Sequence, residues 1–253
     1  MKASHLLFPL GLGLILASHA LQALPDQTKD TRAEAARLVE WLLEEERDLT
    51  GIAFADVAKA VSGREVRPFD PNHEADQRVL NLISREAAAL LREVNEPGHP
   101  AHDIPRINEV SGLLEDLLQE RLDAAEGFSC TFPPTASGQA QRSGYPDLRL
   151  LDETSGRIYY LDPKVYAERL RNSTFRTFYF EPKRETNKIL DDAAHLIIGL
   201  SHAGRLEDGR WRFTGWNLVD LSEFRVRLKA EFQGSNRDLY RDEAIAAEGG
   251  IEP

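Results

Sequence analysis

The chain has 253 residues, of which 42% are hydrophobic and 29% are charged, as is typical of a soluble globular protein. Its single cysteine, Cys130, excludes an internal disulfide and a zinc site built on paired cysteines, and we expect it to be buried. The formal net charge of −11 is unfavourable for binding phosphate groups over the whole surface, so any phosphate-binding surface must be local.

The N-terminus has the order of features that is typical of a secretory signal peptide. Lys2 supplies a positive charge, Leu6–Ala17 is apolar, and Ser18–Ala20 ends in a small residue suited to cleavage. The apolar stretch is too short to span a bilayer comfortably, so we expect no stable membrane association. The pattern predicts a signal peptide over residues 1–20 and a secreted or periplasmic protein.

Residues 21–104 are predicted to form a helical N-terminal region without a catalytic signature. Apolar residues recur at helical spacing in three segments, Asp30–Asp48, Phe54–Val61 and His73–Val94. The next segment, Asn95–Pro105, is rich in proline and histidine and is predicted to be a linker. We therefore expect a domain boundary at residues 104/105.

Residues 105–253 are predicted to form a second domain in which a helix precedes several strands. The predicted helices are Pro105–Ala125 and Pro182–Ala193. Outside a central hairpin, the predicted strands are Phe128–Phe132, Thr174–Phe180, His195–Leu200, Trp211–Leu221 and Phe224–Phe232. This order indicates an α+β fold with a mixed central sheet flanked by helices.

The central hairpin joins strands Pro146–Asp152 and Arg157–Tyr166 through a turn that ends at Gly156. Direct closure of the turn places Asp147 opposite Asp162, and a bulge at Gly156 would shift the pairing by one residue. Adjacent strands lie ~5 Å apart, so the two carboxylates are predicted to be neighbours in either register.

An ammonium group is predicted beside these carboxylates, because Asp162 and Lys164 are two residues apart and share one face of their strand. Two carboxylates this close repel each other unless a cation lies between them. Mg²⁺ is the usual cation for such hard oxygen ligands. The hairpin therefore predicts a site with two acids, one lysine and a divalent metal.

The residues Pro146, Asp147, Asp162 and Lys164 resemble the motif of the PD-(D/E)XK nuclease superfamily, to which many restriction endonucleases belong. The resemblance implies a restriction-endonuclease-like core after the helical N-terminal part. It also implies phosphodiester hydrolysis with Mg²⁺, or Mn²⁺ in its place, on nucleic acid, with DNA favoured over RNA. The oligomeric state stays open, with a homodimer among the options. Pro163 departs from the motif, since it cannot donate to a sheet ladder and predicts an edge or bulge there.

The resemblance assigns roles to individual residues. The implied catalytic residues are Asp147, Asp162 and Lys164. The implied metal ligands are Asp147, Asp162 and the backbone carbonyl of Pro163. The implied auxiliary residues are Glu115, from the helix before the first strand, and Lys188, or Lys183 in its place, from the helix after the hairpin. For Glu115 a solvent-facing glutamate is the alternative.

A basic segment follows the hairpin. Residues 164–188 contain seven basic and three acidic side chains, a local charge of +4. Arg176, Lys183 and Arg184 are predicted to contact substrate phosphates. A solvated helix face and a strand core are the alternative interpretation.

Other functions stay open at this point. The chain can be a catalytically silent nuclease-like module that binds nucleic acid or protein, or a structural α+β protein whose aspartates are unrelated. An intracellular restriction endonuclease is the alternative if the signal peptide is not real. Gly199–Gly204 lacks the spacing of a nucleophile elbow, because Ala203 stands where the last glycine is required.

Overall fold

The structure is a computed structural model that describes residues 27–44, 49–174 and 178–250. The chain divides into two compact units, residues 1–46 and 47–253. The first unit contains helix α1 (Gln27–Glu44), and the predicted signal peptide lies outside the described residues. Among the helices that the structure describes, none combines the length and the apolar character that a bilayer span requires.

The second unit contains the remaining helices. They are α2 (Phe54–Ser62), α3 (Glu74–Val94), α4 (Ile107–Asp123) and the single-turn α5 (Asn236–Leu239). Short 3₁₀ turns occur at Pro100–Asp103, Glu168–Leu170 and Asp242–Ala244. Helices α2, α3 and α4 therefore match the predicted helical segments to within a few residues.

The strands of this unit are β1 (Ile52–Ala53), β2 (Val66–Arg67), β3 (Phe128–Thr131), β4 (Leu148–Asp152), β5 (Arg157–Ala167), β6 (Ala193–Arg205), β7 (Trp211–Asp220) and β8 (Arg225–Val226). A mixed six-stranded sheet forms the centre, in the order β2-β6-β5-β4-β3 with β7 also paired to β6, and β1 and β8 pair separately. Strands β5 and β6 are parallel, and so are β2 and β6, whereas the other pairs of this sheet are antiparallel. The predicted α+β fold is confirmed.

The apolar stripes of α3 and α4 cover one face of the sheet. Buried residues at helical spacing on α3 and α4 join Leu148, Leu161 and Leu196 of the strands in one core cluster. Between these helices, the side chain of Asn95 accepts from the backbone N–H of Phe213 and donates to its carbonyl, at 2.9 Å each. The predicted linker is therefore anchored to β7, and one compact unit runs across residues 104/105.

A buried ion-pair network fixes α3 on the hairpin. The fully buried carboxylate of Asp76 lies 2.7 Å from Arg157 Nε and accepts from the Tyr159 hydroxyl at 2.6 Å. Arg78, one half-turn later, donates to the buried Asp152 at 2.5 Å. These contacts satisfy carboxylates that would otherwise be costly to bury, and they hold both hairpin strands against the helix.

The hairpin has the directly closed register. Leu148 pairs with Leu161, and Gly156 takes a φ of 70° in the turn. The β4 pairing stops at Leu148, so beyond Leu161 strand β5 is paired with β6 alone. Pro163 thus lies where one side of β5 is an edge, as its missing N–H predicts.

Three of the predicted elements are wrong or shortened. The segment 182–192 contains no helix; the side chain of Asn187 instead bonds both backbone groups of Ile189, at 3.0 and 3.1 Å. Such local bonds compete with helix formation. Of the predicted strand Thr174–Phe180, residues 174 and 178–180 form no ladder, because Phe178 and Phe180 pack in an aromatic cluster instead. The last predicted strand shortens to β8.

Candidate active site

The two predicted acids and the predicted lysine meet at the end of the hairpin. Asp147 directly precedes β4, and Asp162 and Lys164 share one face of β5. The ammonium of Lys164 lies 2.8 Å from Asp162 Oδ1 and 3.5 Å from Asp147 Oδ2. Both carboxylates therefore reach the same nitrogen, and the interpretation with two unrelated, distant aspartates is not supported.

Asp162 is the buried member of this cluster, with 2% of its surface exposed. Burial, followed by the neighbouring Asp147, raises the pKa of the Asp162 carboxyl, and Lys164 only partly opposes that rise. Its Oδ2 atom is buried and has no hydrogen-bond donor among the described residues. An acceptor left in this way at a carboxylate pair fits a hard divalent cation such as Mg²⁺.

The protein supplies fewer oxygen ligands at this site than a divalent metal ion needs for a complete coordination shell. In residues 27–44, 49–174 and 178–250, no group of three or more His, Cys, Asp or Glu side chains has the arrangement of a metal cluster. The predicted ligands, Asp147, Asp162 and the carbonyl of Pro163, would supply two carboxylates and one backbone oxygen; the structure brings the two carboxylates together at Lys164. Mg²⁺ usually keeps several waters and binds one or two carboxylates, so this set fits that ion.

Lys164 stays charged in this setting. Burial alone would lower its pKa, but the carboxylates of Asp162 and Asp147 together raise it. The ammonium is held by two acceptors on one side and remains one-third exposed. A lysine that is fixed, charged and accessible can stabilise negative charge that develops on a bound group.

Glu115 of α4 lies close enough to Asp147 for the charge of that carboxylate to affect it. Burial, followed by the charge of Asp147, raises the pKa of Glu115. Arg142 Nη2 donates to Glu115 at 2.9 Å and to Asp116 at 2.5 Å, while its guanidinium lies 3.7 Å from the Phe132 ring centre. The loop before the hairpin is thereby attached to α4 beside the site.

Lys188 also reaches this region, although the helix predicted to carry it is absent. It is 1% exposed and lies 3.5 Å from the backbone carbonyls of Gln141 and Arg142. Burial lowers its pKa, and the charges of Asp147, Glu115 and Asp162 oppose that effect. An extended segment, rather than a helix, brings this second lysine towards the acids.

A buried aromatic pair that the sequence analysis did not identify includes Tyr145, two residues before Asp147. The Tyr145 hydroxyl lies 2.8 Å from His195 Nδ1, and the two rings are stacked at 5.8 Å. Burial lowers the pKa of His195 to about 3, so the ring is neutral. The sequence analysis missed this histidine because it lies in a continuous apolar segment of β6, where no neighbouring residue indicates a function.

Of the three residues predicted to contact substrate phosphates, the structure describes two. Lys183 is exposed and forms an ion pair with Glu181 at 2.9 Å, and Arg184 is exposed on the same segment. Arg176 lies outside the described residues. A role for these three residues in substrate binding stays a prediction.

A mixed sheet that carries two carboxylates and a lysine at the end of an antiparallel hairpin is the arrangement of a restriction-endonuclease-like enzyme. The model of the Type II restriction enzyme MjaV family matches residues 48–243. The chain is 30% identical over 211 residues to "Type II restriction enzyme MjaV" of Methanocaldococcus jannaschii, an alignment that covers 79% of this chain and 90% of that protein. The chain belongs to the MjaV family of type II restriction enzymes, and the prediction of an endonuclease is confirmed.

Proposed function

We propose that the chain is a Mg²⁺-dependent DNA endonuclease that hydrolyses phosphodiester bonds at the site formed by Asp147, Asp162 and Lys164. The observation that carries this proposal is the convergence of both carboxylates on the Lys164 ammonium, beside an Asp162 oxygen that no described group satisfies. The name of the MjaV relative supports DNA as the substrate. Mn²⁺ is the expected substitute for Mg²⁺.

Asp147, Asp162 and the Pro163 carbonyl would hold the metal, which supplies activation of a water and polarisation of the phosphate when bound. Lys164 is placed to donate a hydrogen bond to the attacking water or to a phosphoryl oxygen. Its fixed ammonium needs no rearrangement as negative charge develops. This is the property that makes such a group useful in a transition state.

Glu115 and Lys188 have auxiliary roles in this proposal. Burial and the charge of Asp147 raise the pKa of Glu115, and its carboxylate would orient a water beside the two acids. Lys188, with its lowered pKa, holds the backbone of the loop that contains Arg142 and adds positive charge beside the acids. Lys183, Arg184 and Arg176 would contact phosphates away from the scissile bond.

The protein has two candidate locations, each favoured by a specific observation. The match to a restriction-enzyme family favours an intracellular restriction endonuclease, because such an enzyme must meet incoming DNA inside the cell. The apolar segment Leu6–Ala17 after Lys2 favours export. A reporter fused to the first 25 residues distinguishes the two: trimming near Ala20 and translocation support export, and an uncut cytoplasmic fusion supports the intracellular role.

Incubation of the purified protein with plasmid DNA, with Mg²⁺ or with EDTA, tests the proposed activity. We expect discrete fragments with Mg²⁺ or Mn²⁺ and intact plasmid in EDTA, and no comparable cleavage of RNA. Intact plasmid under every metal condition, together with retained DNA binding, would identify a catalytically silent binding module instead.

A further inference from the structure

The sheet face that carries Asp162 and Lys164 continues across three strands. Tyr166 follows Lys164 by two residues and so lies on the same face. In the neighbouring strands Lys164 is paired with Gly199, and Gly199 with Asn217. Lys164, Gly199 and Asn217 therefore form a row that begins at the acidic cluster and crosses β6.

Asn217 and Tyr166 are joined over the middle strand. Asn217 Nδ2 donates to the Tyr166 hydroxyl oxygen at 2.7 Å. A Cβ atom at Gly199 would lie 2.5 Å from Asn217 Oδ1 and 3.2 Å from Tyr166 Cε1. Because the first distance is shorter than real Cβ contacts, a side chain at residue 199 would displace the Asn217 amide, and the bare backbone of β6 leaves room for the two side chains to meet.

The hydrogen bond determines which way the hydroxyl can donate. The Tyr166 oxygen accepts from Asn217, so its own hydrogen is available for an acceptor on another molecule. Both side chains are half-buried, and in the adjacent row Tyr166 is paired with the buried Ser201, which is paired in turn with the half-buried Gly215. The result is a half-buried hydroxyl donor that Asn217 holds in place, on the sheet face that carries Asp162 and Lys164.

Phosphate oxygens are the acceptor that fits this group. Tyrosine hydroxyls and asparagine amides are common contacts to the nucleic-acid backbone, where they set the position of the substrate without reading sequence. Two strand residues span ~7 Å, which equals about two nucleotides at a rise of ~3.4 Å per nucleotide, so Tyr166 can reach a phosphate close to the one beside Lys164.

We propose that Tyr166 and Asn217 bind a phosphate of the cleaved DNA strand next to the scissile phosphate, with Gly199 as the residue that permits their contact. This inference rests on the proposed function. It adds a substrate-positioning contact made by neutral groups, which suits a chain whose net charge is −11.

The test uses Tyr166→Phe, Asn217→Ala and Gly199→Ala in the full chain, with Tyr240→Phe as an exposed tyrosine control. Affinity for a duplex is measured in Ca²⁺ by fluorescence anisotropy at several salt concentrations, together with thermal melting and single-turnover cleavage in Mg²⁺. Each of the three variants should weaken binding about tenfold, and Tyr240→Phe should not change it. Tyr166→Phe should melt within a few degrees of the wild type.

The salt dependence separates this contact from a charged one. Because neither side chain carries a charge, the slope of log affinity against log salt should stay at the wild-type value, whereas loss of a lysine contact would lower it by about one. Wild-type affinity in both Tyr166→Phe and Asn217→Ala would overturn this inference alone. A wild-type protein that neither binds nor cleaves DNA would remove the proposed function together with it.

Discussion

The ammonium of Lys164 lies 2.8 Å from the carboxylate of Asp162, two residues earlier on the same face of β5. At this contact β5 is no longer paired with β4, so one side of the strand is an unpaired edge. A charged pair placed at such an opening is accessible to a substrate while its backbone stays fixed in the sheet.

Replacement of Asp162 by asparagine should stabilise the metal-free protein. Burial and Asp147 raise the pKa of Asp162 above its unfolded value, so its ionisation opposes folding as the pH rises through that interval. In EDTA at neutral pH, Asp162→Asn should increase the free energy of unfolding by about 1–2 kcal/mol.

The same variant should lose the stabilisation that Mg²⁺ gives to the wild type, because a metal that binds the folded state adds about 1.4 kcal/mol per tenfold excess over its Kd. Denaturant unfolding in EDTA and in Mg²⁺ measures both effects, with the exposed Asp56→Asn as the control. A variant that is less stable in EDTA and gains as much from Mg²⁺ as the wild type would contradict the metal assignment.

Buried His195 should make the protein sensitive to acid. Its folded pKa of about 3 lies below the unfolded value of ~6.5, so its contribution to stability is complete above pH 6.5 and is lost as the pH falls towards 3. Between pH 6.5 and 5.5, the wild type should lose about 1 kcal/mol more than His195→Gln, which cannot titrate. Urea unfolding at both pH values checks this, and an equal difference at each pH would refute it.

The Asp76 network should contribute to stability rather than to chemistry. Asp76→Asn removes the charge that faces Arg157 in the buried network and should cost about 3 kcal/mol. Glu74→Gln, in the exposed pair with Arg78, should cost less than about 0.5 kcal/mol. Thermal melting ranks the two, and the Mg²⁺ concentration for half-maximal cleavage should be unchanged in both. A shift of that concentration in Asp76→Asn would indicate a functional role.

The hairpin and its acids could be predicted from sequence because their information is local. Strand alternation and the turn at Gly156 fix the register, and the register places Asp147 beside Asp162. Helices α3 and α4 could be predicted equally well, since each carries an apolar stripe of period 3.6.

The connection from β5 to β6 could not be predicted in the same way. Parallel strands need a long crossover that is usually a helix, and the composition of Pro182–Ala193 was compatible with one. In the structure this segment is held by a residue distant in sequence. The backbone N–H groups of Leu190 and Asp191 donate to the Tyr160 hydroxyl, at 2.8 and 3.1 Å. Such tertiary bonds leave no periodic signal, and the same is true of the contact of Tyr145 with His195.

The central claim is that Lys164 acts on the reaction at a metal site formed by Asp147 and Asp162. Single-turnover cleavage of a duplex in Mg²⁺ tests it most directly, with Lys164→Ala compared with the wild type and with the exposed Lys59→Ala. Affinity in Ca²⁺ and thermal melting are measured on the same samples. We expect Lys164→Ala to cleave about 10²–10³ times more slowly while it stays folded and bound to DNA, and Lys59→Ala to match the wild type. Undiminished cleavage by Lys164→Ala would contradict it.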